Sequence, residues 1–216
     1  MINRKLYYIR HGIRADARNP KWAEADTNPW DPPLSPNGRL QAEDIAACLP
    51  ENGIEAVFSS PFLRALETAH VIAEQHDLTV LREEGLIEWL NPVWNRNIPA
   101  SWLPLSQARE LFPRIDPDYT SLPPVMYPEV EETIEVRARC RILLHHLISK
   151  QLPGNLVFVT HGAPLGQCLS LLLGPRNDLD LRMGAITAVR QQGQQFELLK
   201  SGCDHLRIED TFSYII

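Results

Sequence analysis

Three scarcities narrow this 216-residue chain before any motif is considered. No apolar run approaches the ~20 residues that a membrane-crossing helix needs, and the N-terminus enters a strand-like segment within about five residues, too soon for a signal peptide. A cytoplasmic location without a membrane partner is the expectation. Cysteine is sparse: Cys48, Cys140, Cys168 and Cys203 lack metal-type spacing, and three of them fall in apolar helical patterns where a reduced thiol is an ordinary core group. No disulfide framework and no metal are expected. Positive charge is short as well, the formal balance being -6 at neutral pH. Such a chain has no electrostatic footprint for nucleic acid, so arginines that cluster locally serve a pocket for an anion.

What remains is the composition of a globular protein, 44% hydrophobic and 22% charged, with enough length for one substantial core. A single domain over residues 1–216 is expected. Lys5-Leu6-Tyr7-Tyr8-Ile9 is a strand, followed by an irregular stretch from 12 to 34 that holds Trp22, Trp30 and the cluster Pro29, Pro32 and Pro33. Ser35-Pro36 supplies an N-cap with proline at the first helical position, for a helix carrying Leu40, Ile45, Ala46 and Leu49. Ile54 to Phe58 is a second strand, and Ser59-Ser60-Pro61 again reads as a cap with proline, opening a helix through Phe62, Leu66, Ala69 and Ile72. A short strand at Thr79-Val80-Leu81 leads to Gly85-Leu86-Ile87-Glu88-Trp89.

From about 89 to 128 the chain carries eight of its 18 prolines and three of its five tryptophans, a density that breaks regular structure. A short helix near Ser106 to Leu111 interrupts it. Glu129, Glu131 and Glu132 then open a long helix, where acidic residues suit the helix dipole, with an apolar stripe through Ile134, Ala138, Ile142, Leu143 and Leu147. A strand at 155–160, a helix through Leu165 to Leu173 and two strands near 185–191 and 195–200 complete the pattern. Strands alternating with helices predict a mostly parallel sheet covered on both faces, an α/β fold.

Chemistry concentrates where these strands stop. Arg10-His11-Gly12 follows the first strand, with Arg14 beyond it; the Ser59-Ser60 turn leading to Arg64 follows the second, Glu88 the third, and His161-Gly162 the strand at 155–160. In an open α/β sheet ligands bind outside the carboxyl ends of the strands, so imidazoles and guanidiniums from these ends can converge on one crevice. Taken singly, each is explained without function: a hydrogen-bonded core histidine, a solvated arginine, a surface carboxylate. Their joint occurrence points to an anion site containing a nucleophile.

The same residues resemble the histidine phosphatase, or phosphoglycerate mutase-like, superfamily. Arg10-His11-Gly12 matches its N-terminal motif; Pro33-Leu34-Ser35 with Gly38 and Gln41-Ala42 its first helix entry; Ser59-Ser60-Pro61 with Arg64, Thr68 and Ala69 its second. Leu86-Ile87-Glu88 matches the acid segment and Val159-Thr160-His161-Gly162 the late histidine motif. The resemblance spans almost the whole chain in order and implies a three-layer α/β/α sandwich. Arg14, three residues past the histidine, is typical of phosphatase branches, whereas mutases usually carry glutamate and asparagine where Ile13 and Ala17 stand. Asp31-Pro32-Pro33-Leu34, Glu88-Trp89 and Pro99-Ala100-Ser101-Trp102-Leu103-Pro104 are similar to the phosphatase domains of suppressors of T-cell receptor signalling.

This resemblance implies a phosphomonoester hydrolase that needs no metal or cofactor. His11 is the implied nucleophile, forming a phosphohistidine; an imidazole with a pKa of ~6.5 is available at neutral pH, and its second nitrogen is expected to donate to a carbonyl such as that of Gly12. Arg10, Arg14 and Arg64 would fork around the phosphoryl oxygens, with His161 as a further catalytic donor. Glu88 is the implied general acid and base. The Pro/Trp-rich insertion is expected to cap the pocket, with Trp89, Trp94 or Trp102 offering an apolar surface to a bulky leaving group. Substrates implied are phosphorylated small molecules or phosphoproteins, and a homodimer is left open as the only other partner. Two alternatives stand beside hydrolysis: mutase-type phosphoryl transfer, and an inactive scaffold that binds phospholigands.

Overall fold

The computed structural model describes residues 2–18, 28, 30–91, 100–122, 132–149 and 152–208. Its strands are β1 (Asn3–Arg10), β2 (Ile54–Ser59), β3 (Val80–Arg82), β4 (Asn155–Thr160), β5 (Ile186–Gln192) and β6 (Gln195–Gly202), joined in one sheet in the order β3-β2-β4-β1-β5-β6. β1 to β4 pair in parallel, and β5 and β6 extend the sheet antiparallel beside β1. The helices are α1 (Pro36–Cys48), α2 (Leu63–Gln75), α3 (Leu105–Leu111), α4 (Thr133–Ser149) and α5 (Gly162–Leu173).

Strand alternation assigns the layers. Tyr7, Ile9, Val57, Val157 and Val159 point into one apolar cluster with α1, α2 and α3, while Leu6, Tyr8, Phe58, Leu156 and Phe158 point into the other with α4 and α5. A two-residue period with both sets buried is what a parallel sheet between helices requires. Tyr8, Phe158 and Phe58 stack across three adjacent strands at centroid distances of 4.8 and 5.3 Å. The fold is therefore the expected three-layer sandwich, and it brings the carboxyl ends of β1, β2, β3 and β4 to one edge.

The first helix starts as the sequence predicts: the Ser35 hydroxyl accepts the Gly38 N–H at 3.0 Å and Pro36 opens α1. The second does not. α2 begins at Leu63 after Phe62, with no side-chain cap from Ser59 or Ser60. Ser60 Oγ pairs with the His161 ring at 2.8 Å and accepts the Phe62 N–H at 3.4 Å, ahead of the helix, and the Leu63 N–H is capped by Asp31 Oδ1 at 2.6 Å, from a loop thirty-two residues away. Local sequence could not show a cap supplied by tertiary contact.

The long helix is present, but its apolar stripe is displaced. Val136, Cys140, Leu143, Leu144 and Leu147 face the sheet, whereas Ile134, Ala138 and Ile142 are exposed. The expected stripe joined two faces of a helix that carries apolar residues on both. Glu135 Oε2 accepts the Glu132 N–H at 2.6 Å, half of a capping box, while Glu129 and Glu131 lie outside the described residues. α5 starts at Gly162, ahead of the expected Leu165, and Cys48 is exposed where a core thiol was expected.

Much of the Pro/Trp-rich segment is structural. Ala108, Phe112 and Ile115 join the core, and Val80 exchanges backbone hydrogen bonds with Arg114 and Asp116 at 2.7 and 3.0 Å. Buried Glu83 then collects Tyr119 Oη at 2.5 Å and Ser121 Oγ at 2.9 Å. Trp22, Pro29 and Trp94 lie outside the described residues. No helix among the described residues is long and apolar enough to cross a membrane.

Candidate active site

Two glycines let the β1 exit loop lie on α1. A Cβ on Gly12 would stand 2.5 Å from the Gly38 carbonyl oxygen, and one on Gly38 would collide with the Ile13 backbone. The loop is then fixed by side chains: Gln41 Oε1 accepts the Ile13 N–H at 2.9 Å, and Thr68 Oγ1 accepts the Gly12 N–H at 3.3 Å while donating to the Arg64 carbonyl at 2.8 Å. The motif residues Gly38, Gln41 and Thr68 thus act on the histidine through its backbone.

His11 is 1% exposed. Its Nδ1 lies 2.7 Å from the Gly12 carbonyl, which can only accept, so the proton sits on Nδ1 and Nε2 keeps its lone pair. Arg64 Nε donates to that Nε2 at 3.2 Å. The His161 ring stands edge-on to His11 at 5.1 Å, and its Nδ1 lies 3.7 Å from Glu88 Oε2. Arg10 packs its guanidinium over the start of α5, where a Cβ on Gly162 would meet Cζ at 3.1 Å, and donates to the Leu181 carbonyl at 2.5 Å. His11, Arg10, Arg64, His161 and Glu88 are brought together. Arg14 is paired with Asp16 at 2.9 Å, yet its charge reaches both histidines and Arg64.

Glu88 is held by backbone on either side. Trp89 N–H donates to its Oε1 at 2.9 Å, buried Arg139 donates to the Gly85 and Ile87 carbonyls at 2.8 and 3.1 Å, and Thr160 Oγ1 donates to the Leu86 carbonyl at 2.8 Å. Trp89 packs toward the α4 and α5 layer. Trp102 packs on Phe62 with centroids 5.5 Å apart, and Phe62 meets the His161 ring at 5.2 Å and lies under the Arg64 guanidinium at 4.7 Å. Phe62, Trp30 and Arg139 carry no local pattern that distinguishes them from core or surface residues, and Asp31 entered only within the Asp31-Pro32-Pro33-Leu34 resemblance, without a role in the site. Among the described residues no group of three His, Cys, Asp or Glu side chains is arranged to hold a metal ion.

Burial first, and then the arginine charges, push both imidazoles well below the ordinary histidine value, so both are neutral at pH 7. Burial also brings the Arg64 guanidinium down to about 10. The histidine shifts imply a stability prediction. Below pH ~6.5 the unfolded chain takes up two protons that the folded pair refuses, so stability falls as pH falls. Asp31 opposes this: raised to about 7, it holds a proton in the fold that the unfolded chain has released, which offsets one of the two, and Glu67, also raised by burial, acts in the same direction. His70 and His205, also lowered by burial, add to the histidine side. A net loss of up to about 1.4 kcal/mol per pH unit is expected between pH 6 and 5. Urea midpoints at pH 7.5 and 5.0 check it, and an equal or higher midpoint at pH 5.0 would exclude two buried neutral histidines.

A family model described as the histidine phosphatase superfamily (branch 1) matches residues 6–204. The transcription factor tau 55 kDa subunit of Saccharomyces cerevisiae is 30% identical over 100% of this chain and 53% of its own length. Ubiquitin-associated and SH3 domain-containing protein A of Mus musculus is 31% identical over 67% of this chain and 24% of its own length, and supports the resemblance to the suppressor of T-cell receptor signalling branch. The chain thus spans about half of the first relative and a quarter of the second. The ecdysone phosphate phosphatase of Bombix mori, solved in complex with tungstate, has a TM-score of 0.67 and 19% identity, covering 97% of this chain and 96% of that one. At that identity the likeness is one of fold.

Proposed function

Because this chain belongs to the histidine phosphatase superfamily, branch 1, we propose that it hydrolyses phosphomonoesters by passing the phosphoryl group through His11. The observation that carries this is the fixed tautomer of His11: Nδ1–H is spent on the Gly12 carbonyl at 2.7 Å, and the Nε2 lone pair faces Arg64 at 3.2 Å. Nε2 attacks phosphorus, the P–O ester bond breaks, and the leaving oxygen takes a proton from Glu88. Water then attacks the phosphohistidine, giving its proton to the Glu88 carboxylate, and the P–N electron pair returns to Nε2. Arg10, Arg64 and His161, joined by Arg14 when substrate competes with Asp16, stabilise the transferring oxygens without metal.

Trp30, Phe62 and Trp102 form an apolar group beside His161, which favours aryl or other bulky apolar leaving groups. Trp102→Ala is expected to raise KM for an aryl phosphate about tenfold, with little change for a small alkyl phosphate. An unchanged ratio between the two substrates would remove Trp102 from the leaving-group contact.

The test is phosphate release by the purified chain from an aryl phosphate, with chelator, vanadate and 3-phosphoglycerate arms. Release insensitive to chelator and blocked by vanadate supports hydrolysis; isomerisation of 3-phosphoglycerate without net release supports a mutase. The naming of the yeast relative as a transcription factor subunit favours a second reading, a phospholigand-binding scaffold. Tight phosphate binding without turnover across a broad substrate panel would establish that instead.

A further inference from the structure

Asp31 stands at the Nη1 end of the Arg64 guanidinium, whose Nε meets His11. Its side chain is 1% exposed, with Oδ1 accepting the Leu63 N–H at 2.6 Å and lying 3.8 Å from Arg64 Nη1. Oδ2 is buried without a hydrogen-bond partner among the described residues. The adjacent Trp30 carbonyl accepts from the same Nη1 at 3.1 Å, so two consecutive residues grip one end of the guanidinium while its Nε is directed at His11. Behind Asp31, Arg82 at the end of β3 is buried with Nε and Nη1 unpartnered. The charged groups that act on the carboxyl are therefore Arg64 and Glu67 from α2 and Arg82 from β3.

We propose that Asp31 is a proton-sensitive positioning residue, in a role that presupposes phosphoryl capture at His11: ionised, it holds Arg64 in register with Nε2, and protonated, it releases the guanidinium while keeping the Leu63 cap. The carboxylate contacts Nη1, whereas the catalytic face of the guanidinium is Nε. Its negative charge thus reaches the phosphoryl group across the arginine, and the orientation it imposes outweighs the repulsion it adds. An orphaned buried oxygen also makes protonation easy. Burial, opposed by Arg64, the Leu63 N–H and Arg82, places the Asp31 carboxyl at about 7. His11 remains neutral throughout this range, so its own ionisation does not mimic the effect.

The experiment compares wild type with Asp31→Asn, which keeps the shape and the Leu63 cap but loses the charge. The ratio of their kcat/KM values for one aryl phosphate is expected near one at pH 5.5 and roughly ten at pH 8, since a displaced positioning group costs tenfold or more. Ionisation of the substrate cancels in the ratio. A ratio that is flat with pH, or that falls as pH rises, overturns the proposal. If Asp31→Asn fails to fold, carboxyl carbon NMR of Asp31 and the Arg64 Nε–H resonance are followed in wild type; a common midpoint supports the coupling and independent behaviour refutes it. Absence of turnover in wild type would instead defeat the phosphatase reading, and the NMR titration would still decide this one.

Discussion

Replacing His11 with alanine is expected to cut turnover of an aryl phosphate by about 10⁴-fold or more, because in the proposed mechanism every covalent step passes through Nε2. Arg10, Arg64 and His161 stay in place, so vanadate or phosphate should still bind. That combination, binding without turnover, separates loss of the nucleophile from collapse of the site. The fold tolerates the change in a pH-dependent way. The variant leaves the Gly12 carbonyl unpaired, at about 1–3 kcal/mol, but it also removes a buried imidazole that opposes folding below pH ~6.5. His11→Ala should therefore be less stable than wild type at pH 7.5 and recover part of the difference at pH 5. Retention of more than about 1% of wild-type kcat would show that phosphorus is not captured at Nε2.

The parts of the site visible in the sequence are those in which one residue type does one thing next to a strand end. The apolar runs Leu6 to Ile9 and Leu156 to Val159 located the ends of β1 and β4, and so placed His11 and His161 side by side. Even the Gly12 carbonyl partner of His11 was legible, because an in-line nucleophile needs its other nitrogen tethered. What was not legible depends on long-range closure. Asp31 caps a helix that begins thirty-two residues later, and Phe62 matters because it slides under Arg64 and against His161. The exposed apolar residues of α4 misled for a related reason: Ile134 and Ile142 share hydrophobicity with the core face, and only the position of the sheet says which face is buried. Ser60 shows the converse, a residue whose cap-like context was overruled when His161 offered its hydroxyl a partner.

Arg64→Lys is expected to lower kcat/KM about 10²- to 10³-fold, although charge is nominally retained. The guanidinium does three things at once: Nε meets His11, Nη1 meets the Trp30 carbonyl and Asp31, and the plane stacks on Phe62. An ammonium can satisfy one of these directions, and in a site 2% exposed it is also driven toward its neutral form by desolvation. Removal of Arg64 altogether adds a stability effect that identifies itself by pH. Asp31 loses its nearest counter-charge, which destabilises its ionised form. Arg64 helps hold the Asp31 carboxyl down at about 7; without it the carboxyl keeps its proton to higher pH, so the extra cost at pH 8 over pH 5.5 is limited to about 1.4 kcal/mol. Arg64→Ala should accordingly lie about 1 kcal/mol closer to wild type in urea stability at pH 5.5 than at pH 8, while its kcat/KM stays depressed at both. Activity loss under tenfold, or a stability gap independent of pH, would mean that Arg64 neither supports the phosphoryl group nor balances Asp31.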